Sequence, residues 1–327
     1  MKAAQSYSTS IESVRNVFED ALEGLVVERM SSKNNRPAMR IARDVLMAGG
    51  KRYRPVLGLL AYEAMGGKDK SEVMNLALSA ELIHTATLVH DDIYDQAKTR
   101  RGKPTIHTTH GLAHAIIVGD YLFALGYELG ANYNPEVVDR VGASCAGVAS
   151  GELLQFEHIG DLGTKPEDYY AIIDGKTAGP FATGCSCAAI VAGADQEEID
   201  SMWHFGLELG RAFQLVDDLL DITGDESIGK PRGTDVHEGK MTLPIIHSLT
   251  MLHGLDREQI ADVITNFSDD RWGELYELLE RSDSLEYTRL LISNHVDRAK
   301  EQLHLFPNSG ARDLMAEIVE MSKTRTR

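Results

Sequence analysis

Long amphipathic stretches are the feature that most limits how this chain can fold. Residues 71–95, SEVMNLALSAELIHTATLVHDDIYD, contain neither glycine nor proline, and their apolar residues recur every three or four positions. This spacing places an apolar stripe along a helix. No segment of four to eight residues alternates strictly between apolar and polar types with β-branched enrichment, so we predict no strands. Similar helical patterns occur at about residues 8–30, 110–131, 135–158, 176–193, 196–223, 283–304 and 309–325.

Glycine and proline punctuate these stretches, but no Ser/Pro/Gly-rich linker divides the chain and no repeat of 20–50 residues is evident. We therefore predict a single all-α domain over residues 1–327, built from about a dozen helices. Some glycines fall inside helical patterns, where each costs about 1 kcal/mol relative to alanine. We expect close helix–helix contacts at these positions, which are Gly142, Gly147, Gly151, Gly206 and Gly210.

The composition narrows the possible partners and the cellular location. The chain carries 33 Lys and Arg against 50 Asp and Glu, a formal charge of −17 that argues against a nucleic-acid partner. Taken alone, this charge also argues against an anionic substrate. No run approaches 18 consecutive apolar residues, so we predict no membrane-spanning segment. The first residues turn acidic before any apolar signal stretch, and three cysteines are too few for a disulfide scaffold, so we expect a cytoplasmic protein.

Two aspartate clusters carry the strongest chemical signal. Residues 91–95 read DDIYD and residues 217–221 read DDLLD, and each follows a mostly apolar run. Residues four apart share a helix face, so Asp91 with Asp95, and Asp217 with Asp221, place like charges side by side. Carboxylates crowded beside an apolar interior need cations, and an all-oxygen ligand set favours Mg²⁺ over Zn²⁺. Mg²⁺ also recruits substrate phosphates, so the clusters predict a polyphosphate site despite the net charge of −17.

Basic residues stand in groups that suit such a substrate. The segment GGKRYRP at residues 49–55 places Lys51, Arg52 and Arg54 together, with glycines that let backbone N–H groups approach an anion. A second group follows the first aspartate cluster, and further lysines stand beside glycine or threonine; these residues are Lys98, Arg100, Arg101, Lys103, Lys176, Lys230 and Lys240.

Eight segments in order identify a resemblance to a known family. GGKRYRP, ELIHTATLVHDDIYD, RRGKPTIH, GELLQFE, DGKTA, FQLVDDLLDITGDE, GKPRGTD and EGKMTLP resemble the trans-isoprenyl (polyprenyl) diphosphate synthases, in particular members that make geranylgeranyl diphosphate or longer products. The matches run from about residue 45 to 246. The resemblance implies an isoprenoid synthase-type barrel of helices around a deep central cavity, working as a homodimer. It also implies a reaction between an allylic diphosphate and isopentenyl diphosphate.

The resemblance further implies roles for individual residues. Asp91 and Asp95 would bind two Mg²⁺ ions and Asp217 a third, with Mn²⁺ as a possible substitute, while Asp92, Asp218 and Asp221 would orient waters and ligands around them. Gln214 and Thr177 would line the reacting carbons, and Asp235 would anchor Lys240. The allylic diphosphate would be held by Arg100, Lys176 and Lys240, with Lys230 nearby. Isopentenyl diphosphate would be held by Gly50, Lys51, Arg54, His84 and Arg101.

The expected chemistry is ionisation, condensation and elimination. Metals and cations stabilise charge on the departing diphosphate, and the isopentenyl double bond attacks the allylic carbocation that remains. No Glu or His is obviously placed as the final base, so the departed diphosphate is expected to take the proton. Water must be kept out to avoid hydrolysis of the cation.

The length of the product depends on the cavity below the first aspartate cluster. Ala86 and Thr87 lie five and four positions before Asp91, about 6–7.5 Å below it at the helical rise. Short-chain family members commonly place an aromatic ring there, whereas Ala86 leaves that level open. We therefore expect products of C20 or longer. The next candidates for a floor are Ile83 and Leu82, or Phe123 and Tyr127 in a later helix, although ordinary core packing explains the two aromatic residues equally well.

Several alternative functions fit the pattern less well. A class I terpene cyclase would need a second cluster of the Asn/Ser/Glu kind, and it would lack Lys51, Arg54 and His84; a head-to-head condensing synthase is disfavoured for the same reasons. A di-metal carboxylate bundle could use Glu81 and His84 as a Glu-x-x-His pair, but the chain has no second copy. A non-catalytic partner subunit would typically have lost one aspartate cluster.

Overall fold

The computed structural model describes residues 2–224 and 233–323, with side chains from residue 11 onward, and the predicted all-α class is confirmed. The helices, in chain order, are α1 (Lys2–Ser31), α2 (Arg36–Leu46), α3 (Tyr53–Ala64), α4 (Ser71–Tyr94), α5 (Ile106–His110), α6 (Leu112–Gly130), α7 (Pro135–Glu157), α8 (Pro166–Ile173), α9 (Gly179–Val191), α10 (Gln196–Thr223), α11 (Thr234–His237), α12 (Leu243–Met251), α13 (Gly254–Thr265), α14 (Trp272–Arg281), α15 (Ser284–Gln302) and α16 (Gly310–Lys323). A π-helical turn, Asp174–Ala178, joins α8 to α9, and 3₁₀ turns occupy Asp269–Arg271 and Leu303–Leu305.

The helical patterns read from the sequence lie within a few residues of the observed helices, and proline marks several starts. Pro135 and Pro166 are the first residues of α7 and α8, a position where the missing N–H costs no hydrogen bond. The predicted stretches miss some helices: α5 shares only residue 110 with them, and no counterpart exists for α2, α3, α8, α11, α12, α13 and α14. Helix α3 shows the reason: residues 55–62 are all buried, so no polar stripe reveals a helical period.

The prediction of no strands is wrong at one point. Thr99–Arg100 (β1) pairs antiparallel with Lys103–Pro104 (β2) in a two-stranded hairpin. The two turn residues, Arg101 and Gly102, both have positive φ, at 51° and 74°. That backbone suits a two-residue hairpin turn, because its twist matches the twist of the strands. Strands of two residues are too short for alternation to show in a sequence.

The chain divides into two compact units. The first unit comprises Met1–Ala143, Thr183–Asp200 and Phe306–Met315, and the second comprises Ser144–Ala182, Ser201–Leu305 and Ala316–Arg327. The single domain over residues 1–327 stays a prediction. In the first unit, α4 packs against α3 and α6. Gly126 makes the contact with α6 close, since a Cβ there would lie 2.8 Å from Ile83 Cγ1.

In the second unit, glycines bring α7 and α10 against the π-helical turn and the start of α9. A Cβ on Gly151 would lie 3.0 Å from the Lys176 backbone nitrogen, and one on Gly210 would lie 2.4 Å from Ala178 Cα. A Cβ on Gly206 would lie 2.6 Å from Ala182 Cα. Close contact is therefore confirmed at these three glycines. The prediction of close contact is wrong for Gly142, where a Cβ would meet nothing within 4 Å. A Cβ on Gly147 would also meet nothing within 4 Å, although the Gly147 carbonyl oxygen lies close to the π-helical turn.

One helix of the described chain meets a simple length and composition test for crossing a membrane. Helix α6, Leu112–Gly130, has an 18-residue window of mean hydropathy 1.3, of which 39% is buried. Core helices of soluble proteins pass the same test, so one such helix is weak evidence for a membrane span. His114, Asp120 and Glu128 interrupt its apolar run.

Candidate functional site

The first aspartate cluster occupies the carboxyl end of α4. Asp92 is only 4% exposed and accepts a hydrogen bond of 2.6 Å from Arg100 Nε. Asp91 is half-buried and accepts a hydrogen bond from the Tyr94 hydroxyl, and Asp95 is exposed just after the helix ends. Asp91 and Asp95 therefore keep the solvent access that a metal ligand needs, whereas Asp92 is held by an arginine.

The electrostatic surroundings of this cluster are unfavourable for carboxylates in the absence of cations. The carboxyl end of a helix carries partial negative charge, and like charges four apart repel. Burial raises the pKa of Asp92, although the hydrogen bond and charge of Arg100 act in the opposite direction. The arrangement costs stability, and bound cations would relieve that cost.

Arg52, one of three basic residues in GGKRYRP, turns into the protein. It is 4% exposed and has a left-handed φ of 52°. Its guanidinium donates hydrogen bonds of 2.8 Å to Glu19 Oε1 and 2.6 Å to the Leu46 carbonyl oxygen, and it also forms an ion pair with the buried Glu81. Arg52 is therefore an anchor for the loop. The same contacts occupy Glu81, the residue that a di-metal carboxylate site would have required.

The remaining basic residues around this loop lie close to one another in the first unit. Arg54 Nη1 is 3.5 Å from His84 Nε2, and Arg101 donates a hydrogen bond to the Gly49 carbonyl. A Cβ on Gly50 would lie only 3.1 Å from Arg101 Cζ, so glycine is needed for this contact. Lys51, at the exposed end of the loop, lies with its Nζ 5.8 Å from the centroid of the Tyr53 ring.

His84 differs from its neighbours because it is neutral at pH 7. Burial lowers its pKa well below the ordinary value, and the charges of Arg54 and Arg101 lower it further. In the free protein it therefore offers a hydrogen bond and no charge. The positive charge beside it belongs to the arginines.

The second aspartate cluster lies near the carboxyl end of α10, where its three carboxylates have different partners. Asp218 is 2% exposed and accepts hydrogen bonds of 2.6 Å from the Tyr169 hydroxyl and 2.8 Å from Gln214 Nε2. The Asp221 carboxylate accepts hydrogen bonds from the backbone N–H groups of Thr234, at 3.0 Å, and Asp235, at 3.2 Å. Asp217 is half-buried.

These carboxylates fit a divalent cation by their chemistry. Burial and the nearby Asp235 raise the pKa of Asp218 to about 8 and that of Asp221 to about 7. A divalent cation would reverse this effect, because its charge favours the ionised carboxylates. Within residues 2–224 and 233–323, no group of three or more potential metal ligands is already assembled. Mg²⁺ commonly completes its coordination with water and substrate phosphates, so a sparse carboxylate set suits it.

The π-helical turn and α7 hold the basic and polar residues next to this cluster. Lys176 Nζ lies 2.6 Å from Glu152 Oε2 and donates 2.9 Å to Gln155 Oε1. The Thr177 hydroxyl donates 2.9 Å to Gln214 Oε1. Thr177, Gln214 and Asp218 thus form one hydrogen-bonded chain. The motif GELLQFE contains Glu152 and Gln155, but its sequence alone indicates no role for them, and no sequence pattern indicates Tyr169.

Lys240 follows α11 and lies among acidic residues. Its Nζ is 3.4 Å from Asp235 Oδ1 and 2.5 Å from Glu238 Oε2, which confirms the expected anchoring of Lys240 by Asp235. The backbone strengthens this link, since Lys240 N–H donates 2.8 Å to the Asp235 carbonyl. Lys230, the other lysine predicted near the allylic diphosphate, lies outside the described residues.

The residues proposed to limit product length differ in burial. Ala86 and Leu82 are fully buried, Thr87 and Ile83 are half-buried, and Ile83 lies against Gly126. In α6, Phe123 is half-buried and Tyr127 is 47% exposed. Their roles as a floor stay predictions.

Comparison with known proteins agrees with the motifs. The sequence profile of the polyprenyl synthetase family matches residues 36–279, which is most of the chain and includes both aspartate clusters. A short chain isoprenyl diphosphate synthase of Methanothermobacter thermautotrophicus is 35% identical over 309 residues, covering 93% of this chain and 95% of that protein.

Solved structures give the same result. A decaprenyl diphosphate synthase from Rhodobacter capsulatus has a TM-score of 0.90 at 32% identity and covers 98% of this chain and 99% of its own. A polyprenyl synthase from Caulobacter crescentus, complexed with calcium and isoprenyl diphosphate, has a TM-score of 0.87 at 32% identity and covers 97% of each chain. The names of these similar proteins span short-chain to decaprenyl products, so similarity alone leaves the product length open.

Proposed function

Because this chain belongs to the polyprenyl synthetase family and is a trans-prenyl diphosphate synthase, we propose that it makes geranylgeranyl diphosphate (C20) or a longer polyprenyl diphosphate. Divalent-metal dependence is general in this family. The observation that carries the product length is Ala86, a fully buried small residue five positions before Asp91. A methyl group at that level leaves room where an aromatic ring would end the cavity.

We propose that Asp91, Asp95 and Asp217 hold about three Mg²⁺ ions, for which Mn²⁺ could substitute. These ions would supply charge stabilisation for the departing diphosphate. Asp92, Asp218 and Asp221 would hold the surroundings of the metal ligands through Arg100, Tyr169, Gln214 and the backbone N–H groups of Thr234 and Asp235.

The allylic diphosphate would be bound by Arg100, Lys176 and Lys240, with Lys230 as a further candidate. The Nε–H of Arg100 donates a hydrogen bond to Asp92, and the remaining guanidinium N–H groups would be suited to bind phosphate oxygens. The Lys176 ammonium has three N–H donors. Glu152 and Gln155 accept two of them, so the orientation of the third N–H is fixed and it would be available to the substrate. Thr177 and Gln214, hydrogen-bonded to each other, would present their dipoles to the developing allylic cation.

Isopentenyl diphosphate would be bound by Lys51, Arg54, Arg101 and neutral His84, with Gly50 allowing backbone approach. The arginines offer paired donors that match a phosphate group. His84 is held beside Arg54 and would donate one hydrogen bond without charge. After condensation, the departed diphosphate would take the proton, as the described residues place no other obvious base.

Product analysis tests the proposed chain length. The purified protein is incubated with isopentenyl diphosphate, Mg²⁺ and each allylic primer in turn, and the products are separated by chromatography. We expect C20 or longer products, including extension of farnesyl diphosphate. Products that stop at C15 would disprove the proposal that the cavity is open at the level of Ala86. Ala86→Phe is the matched variant, and it should shorten the product because the ring would close the same level.

The family resemblance favours the assembly, and the low cysteine content favours the location. We propose that the chain is a single-domain protein that forms a homodimer and works in the cytoplasm. Sedimentation of the purified protein tests the dimer, which should have twice the mass of the chain. A monomer that makes product at full rate would contradict it.

A further inference from the structure

An Arg–Asp pair that links α10 to the π-helical turn belongs to no step described so far. Arg211 on α10 binds the carboxylate of Asp174 through two hydrogen bonds, from Nε at 2.7 Å and from Nη2 at 2.6 Å. Both side chains are only partly exposed, at 21% and 31%. Two parallel bonds fix the direction as well as the distance of the pair.

The position of Asp174 gives the pair its importance. Asp174 is the first residue of the π-helical turn Asp174–Ala178, which also carries Lys176 and Thr177. The π-helix is a rare backbone form that appears mostly as single turns inside α-helices, frequently at functional sites. It persists only where its surroundings hold it in place.

Close backbone packing confines the turn on two sides within the second unit. A Cβ on Gly175 would lie 2.7 Å from the Gly147 carbonyl oxygen of α7, and one on Gly210 of α10 would lie 2.4 Å from Ala178 Cα. The glycines allow this approach, but they supply no directional bond that selects the register of the turn. Arg211 and Asp174 supply one.

Three side-chain contacts made by hydrogen bonds join the segment 169–177 to α10. Tyr169 donates to Asp218, Thr177 donates to Gln214, and Asp174 accepts from Arg211. The first two involve residues already placed in the site. The third lies one helical turn from Gln214, so it fixes the same face of α10 against the same segment.

Arg211 is itself held by a second layer of polar residues. Its Nη1 donates 3.2 Å to Glu208 Oε1, and Glu208 Oε2 lies 2.6 Å from Nδ1 of the buried His295. The Arg211 guanidinium also lies 5.4 Å from the centroid of the Tyr170 ring, whose hydroxyl is 3.0 Å from His295 Nε2. This network leaves the guanidinium few alternative positions.

We propose that Arg211 and Asp174 are positioning residues that hold the π-helical turn in register, so that Lys176 and Thr177 meet the allylic substrate correctly. This inference rests on the proposed function of Lys176 and Thr177. A displacement of about 1 Å at such residues can cost about 100-fold in rate.

Steady-state kinetics test the pair. The variants are Asp174→Asn, Arg211→Lys and the conservative Asp174→Glu, with circular dichroism to monitor the fold. We expect Asp174→Asn and Arg211→Lys to lower kcat by about tenfold or more. The KM for isopentenyl diphosphate should stay within about twofold, and Asp174→Glu should recover most of the activity. The control is Arg281→Lys, since Arg281 also bonds two carboxylates, Asp256 at 2.7 Å and Glu277 at 2.8 Å.

A comparison of mutant backgrounds separates positioning from general stability. In a Lys176→Met, Thr177→Val background, Asp174→Asn should lower kcat by less than about threefold, because both groups that it positions are already lost. Equal losses in both backgrounds would overturn the inference, as would variants within twofold of the wild type. If the wild-type protein itself formed no prenyl product, the proposed function would fail instead. If Asp174→Asn does not fold, Arg211→Lys decides the test.

Discussion

At the scale of single residues, the carboxylates of the two aspartate clusters differ in what they touch. Asp92 and Asp218 are 4% and 2% exposed and are held by Arg100 and by Tyr169 with Gln214. Asp91 and Asp217 are half-buried. The sequence identified all of these aspartates, but it could not say which carboxylates turn inward, since Arg100 and Tyr169 lie 8 and 49 residues away from them in the chain.

Removal of one proposed metal ligand from each cluster tests their assignment. We expect Asp91→Ala and Asp217→Ala to lower turnover by at least about 100-fold, because each loses charge stabilisation of several kcal/mol on the departing diphosphate. Steady-state turnover measures this loss, and circular dichroism should show an unchanged fold. The control Asp297→Ala, at an exposed position of α15, should keep normal turnover. Near-normal turnover in either cluster variant would refute the assignment.

Arg52 allows a prediction about stability. Arg52→Ala would leave Glu81, 2% exposed, as a buried carboxylate without its arginine. Breaking such a buried pair costs about 3–5 kcal/mol of unfolding free energy. Urea denaturation measures this loss. Arg15→Ala, which breaks an exposed pair with Glu12, should cost less than about 1 kcal/mol. Equal losses in the two variants would show that Arg52 is no anchor.

At the scale of helices, the sequence shows which segments have helical periodicity, but it does not show which helices pack closely against each other. Gly142 and Gly210 both interrupt helical patterns, yet only Gly210 lies against a neighbouring backbone. A glycine inside a helix looks the same in the sequence whether it faces solvent or another helix. The sequence pattern predicts a helix from about residue 176 and not the π-helical turn observed there, because the five residues of the turn are too few to show a period of their own.

Alanine substitutions at two helix glycines test this difference. Gly210→Ala would place a Cβ 2.4 Å from Ala178 Cα and should destabilise the protein by about 1–3 kcal/mol. Gly142→Ala meets nothing within 4 Å and should stabilise it by up to about 1 kcal/mol, since alanine favours the helix. The shift of the urea midpoint gives both values. Opposite signs are expected, and a shared sign would contradict the packing seen at Gly210.

At the scale of the whole molecule, the formal charge of −17 does not prevent a diphosphate substrate. Six of the acids lie in the two clusters, where divalent cations would turn them into an anion-binding surface. In the first unit, Arg54 lies beside His84, and Arg101 donates a hydrogen bond to the Gly49 carbonyl, so these two cations stand at the GGKRYRP loop. The positions of the charged residues, and not the net charge of the chain, account for the proposed binding of diphosphates.

Metal removal tests this account for the protein as a whole. We expect chelation with EDTA to lower turnover by at least about 100-fold while the helical signal in circular dichroism stays unchanged. The fold should survive because the described residues contain no pre-assembled group of three or more metal ligands. Added Mg²⁺ should restore turnover, and Mn²⁺ should substitute. Full activity after chelation would exclude the proposed metals.

The order of residues alone was enough to establish the all-α class, the positions of both aspartate clusters and the family, because helical period and ordered motifs are local properties. The folded structure was needed to show that Arg52 is an anchor, that His84 is neutral, and that Arg211 holds Asp174. Each of these depends on burial and on partners more than 25 residues away in the chain. Burial and long-range pairing set the charge and direction of a side chain, and folding alone creates both.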